Sequence, residues 1–194
     1  MTASAVEANA LPSGEEVIMT NSLSYTRRIV ICAALAAISA ILGSFLKIPV
    51  NLFGLYSMKI SLSVIPLVLA SIYFGPLYGG IVGVVADVAG AIMVPMGAYN
   101  PLFSITGFCL GFVPGIFFAR GREVTAVRVF TAVAVSQLFG SVLLNTSFMV
   151  LSYGQPWAII LPRFVNQLFH IPLISVCVLV LDNAIKKSGA FRAA

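Results

Sequence analysis

The chain has 194 residues, 60% of them hydrophobic and only 9% charged, with a mean hydropathy of +1.06. That balance lies far from the roughly 25% charged content of soluble domains and excludes an ordinary soluble enzyme. The net charge of +5 would suggest nucleic acid in a soluble chain, but here the basic residues stand at the ends of apolar segments, where topology accounts for them, so no nucleic-acid partner is expected.

Residues 1–24 hold Glu7, Glu15 and Glu16, no basic residue, and scattered Ala, Ser, Pro and Gly, which reads as a disordered cytoplasmic tail rather than a secretory signal. Beyond it, apolar segments fall at 28–46, 60–76, 77–96, 102–119, 127–151 and 161–185, each near the length that crosses a bilayer. The sequence therefore predicts an all-α integral membrane bundle of six transmembrane helices, a single domain over 25–187, with a short cytoplasmic tail at 188–194. Between the second and third segments Pro76 breaks the helix and Gly75 permits a tight reversal, giving a helical hairpin. With both termini cytoplasmic, the inner side carries Arg27, Arg28, Arg120, Arg122, Arg128, Lys186, Lys187 and Arg192. The outer side keeps only Lys47, Lys59 and Arg163, and this excess of inward positive charge sets the orientation.

The outward connections, 48–58, 97–101 and 152–160, contain Asn51, Phe53, Tyr56, Tyr99, Asn100, Tyr153, Gln155 and Trp157. Aromatic rings beside amides at the mouth of a bundle suit a planar polar solute; an interfacial aromatic belt accounts equally for Tyr153 and Trp157.

Within the spans, Gly75, Gly79, Gly83 and Asp87 recur every four residues, as do Gly107, Gly111 and Gly115, so neighbouring backbones approach closely and no wide lumen is left. In the first helix Ala33 pairs with Ala37 and Ala36 with Ala40, a flat face that must meet another helix, of this chain or of a partner. Asp87 reads as the one acidic residue deep in a span, at a cost of at least about 2.5 kcal/mol unless it is paired; Arg163, Lys59 or amides of the last helix are its candidate partners. The last helix opens Leu161-Pro162-Arg163 and presents Arg163 and Gln167 on one face. A guanidinium grips a carboxylate or carbonyl in bidentate fashion, and a glutamine both donates and accepts. Asn166 and His170 form a second such pair, His170 reading as a neutral, hydrogen-bonded side chain, while Gln137 and Asn145 read as polar glue between helices. Cys32, Cys109 and Cys177 are widely spaced inside apolar runs and read as small buried residues. Without a Walker A loop, a metal-binding histidine pair or a Ser-His-Asp set, the chain is not expected to be an enzyme, to hydrolyse ATP, or to hold a metal or cofactor.

The run Gly75-Pro76-Leu77-Tyr78-Gly79-Gly80 through Asp87, Gly90, Pro95, Gly97, Tyr99, Pro101 and Phe103 to Gly111, with Leu161-Pro162-Arg163, Gln167 and Ile171-Pro172, resembles the S components of energy-coupling factor (ECF) vitamin importers, and among them the folate type. The resemblance spans roughly residues 25–187. It implies a substrate cavity on the extracellular side, gated by residues 48–58, and folate or a related vitamin as substrate. The pterin contacts it implies are Tyr56, Lys59, Asp87, Tyr99, Asn100, Phe103, Arg163 and Gln167. It also implies partners in a prokaryotic plasma membrane: a membrane coupling subunit docking on Ala33, Ala37 and Ala40, and a pair of cytoplasmic ATPases. The acidic N-terminal tail and the polar Asn145-Thr146-Ser147 stretch depart from the family pattern and leave substrate identity open. The rival readings are an S component for another vitamin or heterocycle, a self-sufficient proton-coupled carrier using Asp87 and His170, and a structural membrane protein without a ligand.

Overall fold

Uninterrupted apolar runs fold as helices in lipid because a helix satisfies its backbone polar groups within itself. The computed structural model describes residues 14–45, 47–52, 55–94, 100–119, 123–154, 157 and 160–188, and in 14–24, 47–52, 55–60, 153 and 162 the backbone alone. The elements are α1 (Gly14–Phe45), β1 (Lys47–Leu52), β2 (Leu55–Ser61), α2 (Val64–Phe74), α3 (Pro76–Met93), α4 (Pro101–Phe118), α5 (Ala126–Ser136), a π-helical stretch (Gln137–Leu144), α6 (Asn145–Tyr153) and α7 (Ile160–Ser188). The α5, π and α6 segments run on without a break, so the described residues form six helical rods. Among the described residues five spans are long and apolar enough to cross a bilayer: Tyr25–Phe45, Pro76–Met93, Pro101–Phe118, Ala126–Ser152 and Arg163–Lys187. This is a multi-pass membrane protein.

Three boundaries differ from expectation. The α1 helix begins at Gly14, so residues 14–24 are helical rather than disordered, while 1–13 and 189–194 lie outside the described residues. The second span shrinks to the 11 residues of α2, about 16 Å of helix, because Ile60 and Ser61 belong to β2. Finally, the connection at 48–58 is an antiparallel hairpin with Lys47 opposite Ser61 and Val50 opposite Met58. Its sequence alternates Ile48, Val50, Leu52 and then Tyr56, Met58, Ile60 with mostly polar neighbours, the period of a strand. The all-α expectation therefore holds for the bundle and fails for this hairpin.

The helical turn between α2 and α3 forms as the sequence predicts: Gly75 takes φ 96°, a conformation side chains disfavour, and Pro76 opens α3. The glycine rows then set the closest approach in the bundle. Gly79 and Gly83 of α3 face Gly111 and Gly107 of α4, and Gly115 faces Pro76, in antiparallel order. An added Cβ at Gly79, Gly83 or Gly111 would strike the facing backbone. A second joint follows from Pro114, which has no N–H to give to the Leu110 carbonyl one turn back. Ser136 of α5 supplies the missing donor, its Oγ lying 3.3 Å from Leu110 O. The main core, around Val68, Val129, Val133, Ile174 and Val178, is fully buried between α2, α5 and α7.

Asp87 is not the only acidic group inside the bundle. Asp182 of α7 is 2% exposed, accepting from Tyr73 Oη at 2.8 Å and pairing with Lys186 Nζ at 2.6 Å. This contact fastens the end of α2 to α7. Tyr73→Phe removes one donor from a buried carboxylate, and thermal unfolding in detergent should show a loss of about 1–2 kcal/mol. Solute affinity should not change, because Asp182 lies twelve residues, about 18 Å of helix, from His170 at the cavity.

Candidate functional site

The four-residue row that begins at Gly75 ends at Asp87, and there the glycine seam opens into a cavity of about 530 Å³, within the usual range for small-molecule sites. Asp87 stands across from α4, where Ser104 Oγ donates to its Oδ2 at 2.7 Å. Among the described residues Ser104, rather than Arg163, is thus the partner of this carboxylate. Phe103 and Thr106, also on α4, line the same wall.

The opposite wall is α7. Arg163, Asn166, Gln167 and His170 fall on one face and all line the cavity. Arg163 donates from Nη1 to Thr146 Oγ1 at 3.3 Å and from Nη2 to Met149 Sδ at 2.6 Å, and it has no acidic partner among the described residues. Gln167 donates from Nε2 to Ser141 Oγ at 2.9 Å. His170 is 5% exposed, with Nε2 at 2.9 Å from Ser61 O and 3.3 Å from Ser61 N, and Nδ1 at 3.2 Å from Gln137 Nε2. A neutral imidazole that donates from Nε2 to the Ser61 carbonyl, the shorter of its two Ser61 contacts, and accepts at Nδ1 from Gln137 fits this arrangement. Among the described residues its hydrogen bonds run to Ser61 and Gln137, and none joins it to Asp87.

The third wall was missed in the sequence. Gln137, Ser141, Asn145 and Met149 all line the cavity. Four residues advance 400° in an α-helix, so such a row would drift by about 40° per step; the wider π turns of 137–144 counter the drift. Spacing alone is the available signal; Gln137 does bridge to His170 of the last helix, as expected of polar glue, and with Asn145 it also lines the cavity. The Thr146 that looked foreign to the family holds Arg163.

Unpartnered polar atoms define what the cavity asks for. Arg163 Nε, Gln167 Oε1 and Thr106 Oγ1 are buried without a hydrogen bond. Buried polar groups in native proteins are nearly always satisfied, so three orphans on residues of one cavity mark its wall as the place where further polar partners fit. Thr106 had no place in the sequence reading, and a lone threonine in an apolar helix carries no signal.

The remaining expected site residues are less uniform. Asn100 lines the cavity, yet its Oδ1 caps α4 at Leu102 N (3.1 Å) and its Nδ2 donates to Ser152 Oγ (3.0 Å), so both ends of the amide are engaged. The side chains of Tyr56 and Lys59, and all of Tyr99, lie outside the described residues. On α1 the alanines split: Ala36 and Ala40 are buried at 3% and 2%, Ala40 lining the cavity, whereas Ala33 and Ala37 are exposed. Ala40 therefore leaves the exposed face expected of it, because the bundle packs over that end of α1.

A multi-pass bundle with a polar, partly orphaned cavity at one end and a β-hairpin rooted in its rim is a membrane protein built to bind a small solute. The ECF transporter, substrate-specific component family matches residues 27–181. The chain is 30% identical over 135 residues to the folate transporter FolT of Clostridium novyi (strain NT), covering 70% of this chain and 73% of that one. It is 25% identical over 167 residues to the folate transporter FolT of Leuconostoc mesenteroides subsp. mesenteroides, covering 82% and 87%. The solved structure of FolT bound with folic acid is similar with a TM-score of 0.69 at 27% identity, covering 80% of this chain and 92% of that one. An S component of a bacterial ECF transporter shares the fold, with a TM-score of 0.67 at 21% identity over 84% and 97% of the two chains. The chain belongs to the family of ECF transporter substrate-specific components, the substrate-binding subunits of these importers.

Proposed function

We propose that this chain captures folate or a closely related pterin. The observation that carries the reading is the set of orphaned polar atoms of Arg163, Gln167 and Thr106 in a cavity that also holds Asp87 and Phe103. A pterin offers an N–H edge to Asp87 and Gln167, a flat face to Phe103, and, in folate, tail carboxylates to Arg163. Likeness to the folate transporters supports the same choice. In this reading Tyr56, Lys59 and Tyr99 complete the site from the hairpin and the α3–α4 connection.

The proposal extends to orientation and partners. The hairpin end faces outward, residues 48–58 act as the gate, and both termini lie in the cytoplasm of a prokaryotic cell. A membrane coupling subunit docks on the exposed Ala33 and Ala37, and cytoplasmic ATPases supply the energy. Calorimetric titration of the purified chain with folate, other pterins and unrelated vitamins tests the first part. Tight one-to-one binding of a pterin without ATP is expected; binding of an unrelated vitamin alone, or of nothing, overturns it. For the second part, Ala37→Leu should leave folate affinity within about twofold while abolishing ATP-driven uptake in reconstituted vesicles, since bulk on a small-residue face blocks helix contact. Uptake at the wild-type rate would remove Ala37 from the docking face.

A further inference from the structure

We infer that His170 is a positioning residue for the gate: it latches the root of the β-hairpin to the cavity wall and so sets how fast solute enters and leaves. The inference rests on the reading of residues 48–58 as the gate. A two-stranded hairpin has little stability of its own, so its position depends on where it is anchored. Its strands close at Lys47 opposite Ser61, and Ser61 is the end at which β2 returns to the bundle.

There a hydrogen-bonded chain crosses beneath the hairpin from α1 to the π-helical stretch. Ser39 Oγ donates to Ser63 O at 2.7 Å, the Ser63 and Ser61 hydroxyls lie 2.9 Å apart, and His170 Nε2 donates to Ser61 O at 2.9 Å. Gln137 Nε2, 3.2 Å from Nδ1, then fixes the ring from the far side. All five side chains line the cavity, so the latch and the site share one wall. A buried histidine with both nitrogens satisfied is commonly structural. His170 differs in that one of its partners is the backbone of the hairpin and the residue also lines the cavity. Because the bond is to a main-chain carbonyl, no serine substitution removes it; only the imidazole controls it.

Two readouts test this, one of them independent of any ligand. In the solute-free protein, His170→Ala should raise deuterium uptake of residues 47–61 about tenfold in rate while uptake in α5 and α7 stays as in wild type. In stopped-flow measurements with folate, association and dissociation should both rise about tenfold. His170→Gln, which keeps a donor near the Nε2 position, should restore both. His170→Asn, polar but too short to reach Ser61, should behave like alanine and guards against a variant that simply fails to fold. Unchanged uptake at 47–61, exchange raised throughout the bundle, or an affinity loss carried by dissociation alone would overturn the latch. Failure of the wild-type chain to bind folate would count against the proposed substrate, with the exchange experiment still deciding the latch.

Discussion

Alanine at Gly111 will cost this protein a large share of its stability, about 3 kcal/mol, although it adds a single methyl group. A Cβ at that position lands on the Gly79 carbonyl and within 3.0 Å of Gly80 N, all of it backbone. A side chain in the way can rotate, but a helix backbone can only move as a whole. The α3 and α4 helices must therefore separate along the seam that runs from Gly115 against Pro76 to Gly107 against Gly83. Overpacking commonly costs about 1–3 kcal/mol, and with main chain on both sides the upper end of that range applies; leucine should leave no folded protein. Thermal unfolding and recovery of monodisperse protein in detergent measure this directly. Gly90→Ala is the control, because its Cβ meets only the movable Ser44 hydroxyl, at 3.3 Å, and should be close to neutral. Equal losses for the two variants would show that the seam does not set the helix spacing. The folded remainder of Gly111→Ala should also bind solute more weakly, since the same row places Asp87 against Ser104.

That row is also where the sequence was most legible. Glycine at every fourth position has few uses in a membrane helix other than close packing, so Gly79, Gly83 and the inward direction of Asp87 could be read from spacing. Arg163 and Gln167 were equally plain, as polar residues four apart at the start of an apolar helix. What stayed hidden depended on contacts between elements. Which acceptor Arg163 finds is decided by the placement of Thr146 and Met149, and which donor reaches Asp87 by the register of α3 on α4. Nothing local announces the π turns that hold Gln137, Ser141, Asn145 and Met149 in one row. The hairpin was missed for a different reason: its alternation lay in the sequence, but Ile60 and Ser61 adjoin a long apolar run and were absorbed into it. Asp182 was overlooked because it lies near a lysine at the end of a span, where an exposed charge is the ordinary expectation; burial against Tyr73 is a tertiary fact.

The second large effect should appear at Arg163, and it divides the ligand into two parts. The guanidinium lines the cavity with Nε unpartnered and, among the described residues, no carboxylate opposite it, while Thr146 and Met149 hold its other nitrogens in place. A fixed positive group without a counter-charge fits an anionic part of the ligand best, because charge-assisted hydrogen bonds are about twice as strong as neutral ones. Removing such a contact costs about 1.5–3 kcal/mol, so Arg163→Ala should weaken folate binding by ten- to over a hundredfold in calorimetric titration. Arg163→Lys should recover only part of this, since an ammonium keeps the charge and loses the planar fork. Asp87→Asn removes instead the carboxylate proposed to accept from the pterin N–H edge. The two losses should separate when the titrations are repeated with a pterin that lacks the glutamate tail. Asp87→Asn should weaken folate and the tail-less pterin alike, whereas Arg163→Ala should weaken folate and leave the tail-less pterin within about threefold. If Arg163→Ala weakened both equally, the arginine would be reading a pterin carbonyl, and folate would lie in the cavity with its ends exchanged.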